Sequence, residues 1–245
     1  VEGMCYVGAA IGVTGDFEER ACALHDAGAD VLCVDVAHGH HILTKTALER
    51  LRNIFDDSIH IMAGNIATLD GFNDLSDWGA DSIRCNIGGG SICSTRIQTG
   101  HGLPGLQTIM NCARSDRDTK IIADGGIRNG GDIVKALAAG ADFVMLGSML
   151  AGTNESPGEK VVTLGGVKKK YRGMASKDAQ IEWRGEYSSN EGVSTLIDFK
   201  GPVNLILDDL RNNIKSGLSY SGCRNIQELQ IKAKFVRQTS AGLGE

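Results

Sequence analysis

The chain has 245 residues, 42% of them hydrophobic and 33 of them glycine, with a formal net charge of −5. That length allows one α/β barrel or two smaller domains, and aperiodic glycine at about twice its usual share points to many tight loops on a globular scaffold. The negative balance excludes an overall basic field that recruits nucleic acid, and no run of about 18 apolar residues marks a membrane span. The N-terminus does not read as a signal peptide. Seven cysteines stand at 5, 22, 33, 85, 93, 112 and 223, an odd number without a CxxC pair. Neither a disulfide framework nor a zinc site is indicated, so a reducing, cytoplasmic setting is expected.

Six apolar runs read as strands: Cys5 to Ile11, Val31 to Asp35, Ile59 to Met62, Ser82 to Cys85, Lys120 to Ala123 and Phe143 to Leu146. Three of them follow the same phrase, Gly28-Ala29-Asp30, Gly79-Ala80-Asp81 and Gly140-Ala141-Asp142. Each of these glycines is placed to close a helix at C′. Upstream, Phe17, Ala21 and Leu24 keep one helical face. Ile133, Val134 and Leu137 keep another, with Asp132 near the N-cap. Leu103 to Ala113 is a further helical segment. Helices alternating with strands predict a parallel sheet. Glycine or polar residues follow nearly every strand, including Asp35, Asn65, Asp124 to Gly126, Gly147 and Ser148. Sites at the C-terminal ends of all strands are the habit of a TIM (β/α)₈ barrel, and that fold is expected. Six strands do not close eight, and Val1 leads almost directly into a strand. The expectation is therefore a single barrel domain over 1–245 that lacks its first two strands.

Gly152 to Gly201 carries much polarity and little periodicity. It is expected to be a structureless flap over the barrel mouth, about 152–200. Its basic run, Lys168-Lys169-Lys170 with Arg172, reads as a solvated loop face. Pro202 then opens a helix through Val203, Ile206, Leu210 and Ile214, with Gly217 as its stop.

The stretch Asn86-Ile87-Gly88-Gly89-Gly90-Ser91-Ile92-Cys93-Ser94-Thr95-Arg96 carries the chemistry, within an active-site loop of 86–102. Glycines let backbone approach a ligand closely. A lone cysteine between hydroxyls there reads either as a covalent nucleophile or as a small packed thiol in a barrel turn. His38, His40 and His41 read as a metal cluster or, preferably, as loop packing. Trp78 and Trp183 read as packing rather than base stacking.

Five motifs occur in order along nearly the whole chain: Gly88-Gly-Gly-Ser-Ile-Cys93-Ser-Thr-Arg96, Ala123-Asp-Gly-Gly126, Val144-Met-Leu-Gly-Ser148, Tyr171-Arg-Gly-Met174 and Tyr220-Ser-Gly222. Together they resemble the IMP dehydrogenase/GMP reductase family. The resemblance implies a (β/α)₈ barrel that binds a purine nucleotide (GMP or IMP) and attacks purine C2 with Cys93. It places the phosphate at Ser91, Gly126, Gly147, Ser148 and Tyr171, the ribose at Asp124 beside Gly125, and the purine edge at Gly173 and Met174. Asp35 and Asn65 match positions near the nicotinamide cofactor. Gly88, Gly90 and Cys93 match carbonyl donors to a monovalent cation such as K⁺. A homotetramer is also implied.

The two branches differ. The dehydrogenase passes hydride to NAD⁺ and uses an Arg-Tyr pair on a long flap. The reductase expels ammonia from GMP and takes hydride from NADPH, with a Thr and a flap Glu matching Thr95 and Glu191. Residues 175–190 make a short flap without an Arg-Tyr pair, and Thr95 to Gly102 also looks like the reductase. GMP reductase is therefore the first expectation. IMP dehydrogenase and a non-catalytic nucleotide-binding relative are the alternatives. Departures are Asn86, where the family has glycine, the triple glycine 88–90, and Gly105. They leave open a different loop or purine pocket.

Overall fold

A computed structural model of the chain describes residues 5–186 and 192–239. The first six strands are β1 (Gly8–Ile11), β2 (Val31–Asp35), β3 (His60–Ile66), β4 (Ser82–Cys85), β5 (Lys120–Asp124) and β6 (Phe143–Met145). They form one parallel sheet in the order β1-β2-β3-β4-β5-β6. The crossovers are α1 (Phe17–Asp26), α2 (Ile42–Phe55), α3 (Leu69–Asp77), the short α4 (Thr95–Thr99) with α5 (Gly105–Cys112), and α6 (Gly130–Ala138). Sequential βα winding with every strand beside its predecessor is the plan of a (β/α) barrel, here built as six strands with β1 and β6 as its edges.

The sequence explains these elements. Ala47, Leu48, Leu51 and Phe55 recur at helical spacing on α2 and are all buried. Full burial contributes roughly 1.5–3 kcal/mol for each large side chain. All four residues of β4 are buried, as expected where helices cover a parallel sheet. Gly28, Gly79 and Gly140 take φ of +93°, +107° and +116° directly after helix C-caps, so each ends its helix as expected. The aspartate of the phrase has a role that the spacing did not reveal. Asp30, Asp81 and Asp142 each accept the backbone N–H at the start of the neighbouring strand segment, from Val7, Ile61 and Ile121 at 2.7–2.8 Å. In each case the Asp N–H donates back to that same residue's carbonyl. The repeated phrase is thus a helix stop followed by a strand clamp.

Three boundaries differ from the expectation. β3 continues through Gly64 and Asn65 to Ile66, so Asn65 lies within the strand, beside a register shift against β4. α6 is capped by Asn129, whose side chain accepts from Asp132 N–H at 2.9 Å; Asp132 is its third residue. Gly217 does not end α8 (Val203–Tyr220). It lies where α8 crosses α6, and a Cβ there would stand 2.6 Å from Val134 Cγ2. Glycine is required there by the close crossing of two helices; Gly222, at φ +63°, follows the helix end instead.

The region 152–201 is not structureless. It holds an antiparallel sheet of β7 (Lys160–Thr163), β8 (Gly166–Arg172) and β9 (Ser194–Asp198), with α7 (Lys177–Arg184) between the last two. The basic run is strand β8 rather than a solvated loop. Lys169 is buried, and its ammonium donates to the carbonyls of Thr153, at 2.9 Å, and Ser156. Lys168 pairs with Asp198, and Arg172 with Glu182. The chain then runs through α8 and α9 (Ile226–Lys232), whose Leu229 joins the core. Among the described residues no helix is long and apolar enough to cross a membrane.

Candidate active site

The C-terminal ends of β2 to β5 and the end of β8 converge on one cleft of about 330 Å³, within the size range of small-ligand pockets. Asp35 and Asp124 are the last residues of their strands. The loop between β4 and α4 forms one wall, and Tyr171, Gly173 and Met174 form the other. Cys93 lies on this loop and is exposed. Its N–H donates to Gly90 O at 3.1 Å, and its thiol lies 3.2 Å from Thr95 Oγ1 as donor. Thr95 is the first residue of α4.

The flap returns directly onto this loop. Cys93 and Gly192 form an isolated antiparallel bridge. Val193 N–H donates to Ile92 O at 3.1 Å, and Gly173 N–H donates to Val193 O at 3.2 Å. The return limb is therefore hydrogen-bonded to the nucleophile loop on one side and to the Tyr171-Arg-Gly-Met motif on the other. Burial pushes the thiols of Cys33 and Cys85 up, which disfavours the reactive thiolate. Cys93 instead combines exposure, a neighbouring hydroxyl and a position in the cleft.

Arg84, on β4, is a site residue that the sequence reading did not single out. It is buried, and its guanidinium pairs with Asp35 and lies 3.8 Å from Asp124. Burial opposes its charge, but the surrounding Cys33, Asp35 and Asp124 outweigh that and hold its pKa above the ordinary value. Its Nε has no hydrogen-bond partner. The available signal was an arginine inside the otherwise apolar strand Ser82 to Cys85, because such a residue is almost never buried unless paired. Asn65 Nδ2 donates to Asp124 Oδ2 at 2.7 Å. Asp35, Asn65, Arg84 and Asp124 thus form one polar floor.

The cleft lining contains Asp35, Asn65, Gly88, Gly90, Ser91, Cys93 and Thr95, together with Asp124, Gly125, Tyr171, Gly173 and Met174. Gly126 faces an adjoining cavity behind the loop. Gly147 and Ser148 follow β6 outside the lining, and Gly147 reaches the site through Tyr171: a Cβ on it would lie 3.5 Å from the Tyr171 hydroxyl. Glu191 lies outside the described residues, immediately before the bridging Gly192. The carbonyls of Gly88, Gly90 and Cys93 are hard oxygen donors suited to a monovalent cation, although Gly90 O is already accepting from Cys93 N–H. His40 packs on Trp78 and bonds Asp74 at 2.7 Å, while His41 caps α2. These two histidines have the loop-packing role.

Asn86 is accommodated by glycines. It takes φ +141°, in a region where glycine is usual, and is buried. Its Nδ2 donates to Asp124 O at 2.8 Å, and its Oδ1 accepts from Arg96 at 2.9 Å. A Cβ on Gly89 would overlap this amide, and one on Gly105 would stand 3.0 Å from Nδ2. The three departures noted in the sequence therefore pack together as one feature.

A parallel βα barrel sheet, with an exposed cysteine and a carboxylate floor at the strand ends, defines the class: a small-ligand barrel with an accessible thiol. The chain belongs to the IMP dehydrogenase / GMP reductase family, whose domain matches residues 1–245. It is 45% identical over 261 residues to an inosine-5'-monophosphate dehydrogenase of Nitrosopumilus maritimus, covering 100% of this chain and 54% of that protein. It is 46% identical over 257 residues to a GMP reductase of Leishmania major, covering 99% and 52%. Among solved structures it matches a cysteine-to-alanine variant of GMP reductase from Trypanosoma brucei in complex with guanosine 5'-monophosphate. That match has a TM-score of 0.94 and 45% identity and covers 99% and 52% of the two chains. It also matches inosine 5'-monophosphate dehydrogenase from Legionella pneumophila, with a TM-score of 0.85 and 48% identity over 98% and 74%. The chain spans about half the length of the curated relatives it matches.

Proposed function

We propose that this barrel belongs to a GMP reductase, converting GMP to IMP and ammonia with NADPH as reductant. The observation that carries the reading is the contact between Cys93 Sγ and Thr95 Oγ1, 3.2 Å apart in the cleft, with the flap's return limb bridged to the same cysteine. Similarity alone does not decide between the branches, since reductases and dehydrogenases match at nearly equal identity.

In this reading Cys93, as thiolate, adds to purine C2. The 2-amino group takes a proton and leaves as ammonia, giving a thioimidate. Thr95 is within reach of the sulfur and relays protons. Glu191, one residue before the bridging Gly192, supplies the proton to the amine. A bound NADPH would supply the hydride for C2; Cys93 then leaves as the thiolate, with the electron pair of the C–S bond, and IMP is released. Asp124 accepts from the ribose hydroxyls. Ser91, Gly126, Gly147, Ser148 and Tyr171 hold the phosphate. Asp35 and Asn65, with Arg84 between the carboxylates, present a polar wall to the nicotinamide. K⁺ on the loop carbonyls, a cytoplasmic location and a homotetramer complete the proposal.

The second reading, IMP dehydrogenase, makes the reverse redox demand, NAD⁺ reduction with IMP. The test is nicotinamide absorbance in the full-length protein. GMP-dependent NADPH oxidation that disappears in Cys93→Ala supports the reductase. NAD⁺ reduction with IMP and silence with GMP assigns the dehydrogenase, and silence with both overturns the enzymatic reading.

A further inference from the structure

We propose that Asn86 is a positioning residue for the nucleophile loop, acting as a strut between the end of β5 and Arg96, and that Gly89 and Gly105 are glycine to admit it. The argument starts from strain. A buried asparagine at φ +141° persists only where its surroundings over-determine it. Four hydrogen bonds do so. Asn86 N–H donates to Ile66 O at 2.8 Å, and Asn86 O accepts from Asn65 Nδ2 at 2.8 Å. The side chain holds the Asp124 carbonyl and the Arg96 guanidinium.

Arg96 extends the chain of contacts. Its Nε donates to Ile87 O at 2.9 Å, and its terminal nitrogen also reaches Leu103 O. Asn86 precedes the glycine turn and Arg96 follows Cys93, so the pair clasps both flanks of the segment 87–95. The same amide is anchored on Asp124, the carboxylate residue of the cleft floor. Three glycines free the loop to bend, and the strut fixes where it stops. The amide packs into the space left by Gly89 and Gly105, and Asn86 borders both the cleft and the adjoining cavity behind the loop. Through these contacts it controls the placement of Cys93.

The test uses the full-length protein and a double-variant cycle. Asn86→Gly removes the strain and the strut together. The expected result is amide hydrogen exchange across 87–95 at least tenfold faster, with the melting temperature unchanged or raised. With the protein's own purine nucleotide, turnover falls about tenfold at unchanged KM. A merely structural residue would instead lower the melting temperature and leave exchange in the loop in proportion to the rest of the barrel. Gly89→Ala places a methyl on the amide and lowers the melting temperature by several degrees. Adding Asn86→Gly recovers it. Unchanged exchange at 87–95 in Asn86→Gly, or a Gly89→Ala loss that persists undiminished in the double variant, overturns the proposal. The exchange and melting measurements need no substrate, so they stand apart from the choice between reductase and dehydrogenase.

Discussion

Lys169→Met tests how the flap is held. The ammonium is 3% exposed as a residue and has no carboxylate among its described partners; it donates to Thr153 O and Ser156 O instead. Methionine keeps the unbranched stem and removes the charge. Each lost donor leaves a buried carbonyl unsatisfied, at roughly 1–3 kcal/mol apiece. The ammonium's own desolvation cost disappears at the same time, so the net loss is about 2–4 kcal/mol. For a domain of this size that lowers the melting temperature by about 5–10 °C. The functional effect follows from strand geometry. Lys169 and Tyr171 share one face of β8, and the Tyr171 hydroxyl stands beside Gly147. Loosening Lys169 should weaken binding of a purine mononucleotide about tenfold, equivalent to about 1.4 kcal/mol. Calorimetric titration with GMP and with IMP, alongside thermal melts, measures both effects. Lys170→Met, at an exposed neighbour, is the control and should change stability by less than about 0.5 kcal/mol. Equal nucleotide affinity and equal melting in Lys169→Met and Lys170→Met would refute the clamp.

Two further outcomes are expected. Gly217→Ala destabilises by about 1 kcal/mol: alanine gains helix propensity of about 1 kcal/mol, but its methyl meets Val134, and overpacking costs roughly 1–3 kcal/mol. A raised denaturation midpoint would show that α8 and α6 do not cross so closely. Asp132 is a pH-dependent support of α6. Its burial raises the carboxyl pKa, but the Lys135 ammonium and the Arg128 N–H outweigh this and hold it below the ordinary carboxylate range. A carboxyl depressed in the fold lends stability that is full above its unfolded pKa of about 3.9. That contribution is lost as pH falls through the folded value. The melting difference between the wild type and Asp132→Asn should accordingly shrink below about pH 4, and a difference that grows with acidification would reverse the assignment.

The parallel sheet was legible because its signals are local. Apolar runs of strand length, the Gly-Ala-Asp phrase and a polar residue at each strand end need no knowledge of distant contacts. What escaped was set by partners far along the chain. The flap sheet pairs short strands, and β8 reads as a charge run although Lys168 and Arg172 pair with carboxylates and Lys169 donates to backbone carbonyls. The same distance effect hid Gly217, which looks like a helix stop and is a crossing point.

The site divides in the same way. The cysteine in its glycine loop and Asp124 at a strand end stand out by residue type and position, the Tyr171 motif only through the family resemblance, and they meet in one cleft. Arg84 was passed over because it sits in a strand read only for its apolar content. Yet a guanidinium buried at that depth demands carboxylates, and they stand at strand ends: Asp124 on the adjacent β5 and Asp35 on β2, one strand beyond β3. Asn86 teaches the complementary point. In the sequence it is an anomaly beside two unusual glycines, with no sign that the three belong together. In the fold, the amide occupies the volume that side chains at 89 and 105 would need. Bulk and an unusual φ at position 86 fit because positions 89 and 105 carry no side chain. The unit under constraint is therefore the packed trio behind the loop, and changing any one member alone should disturb the placement of Cys93.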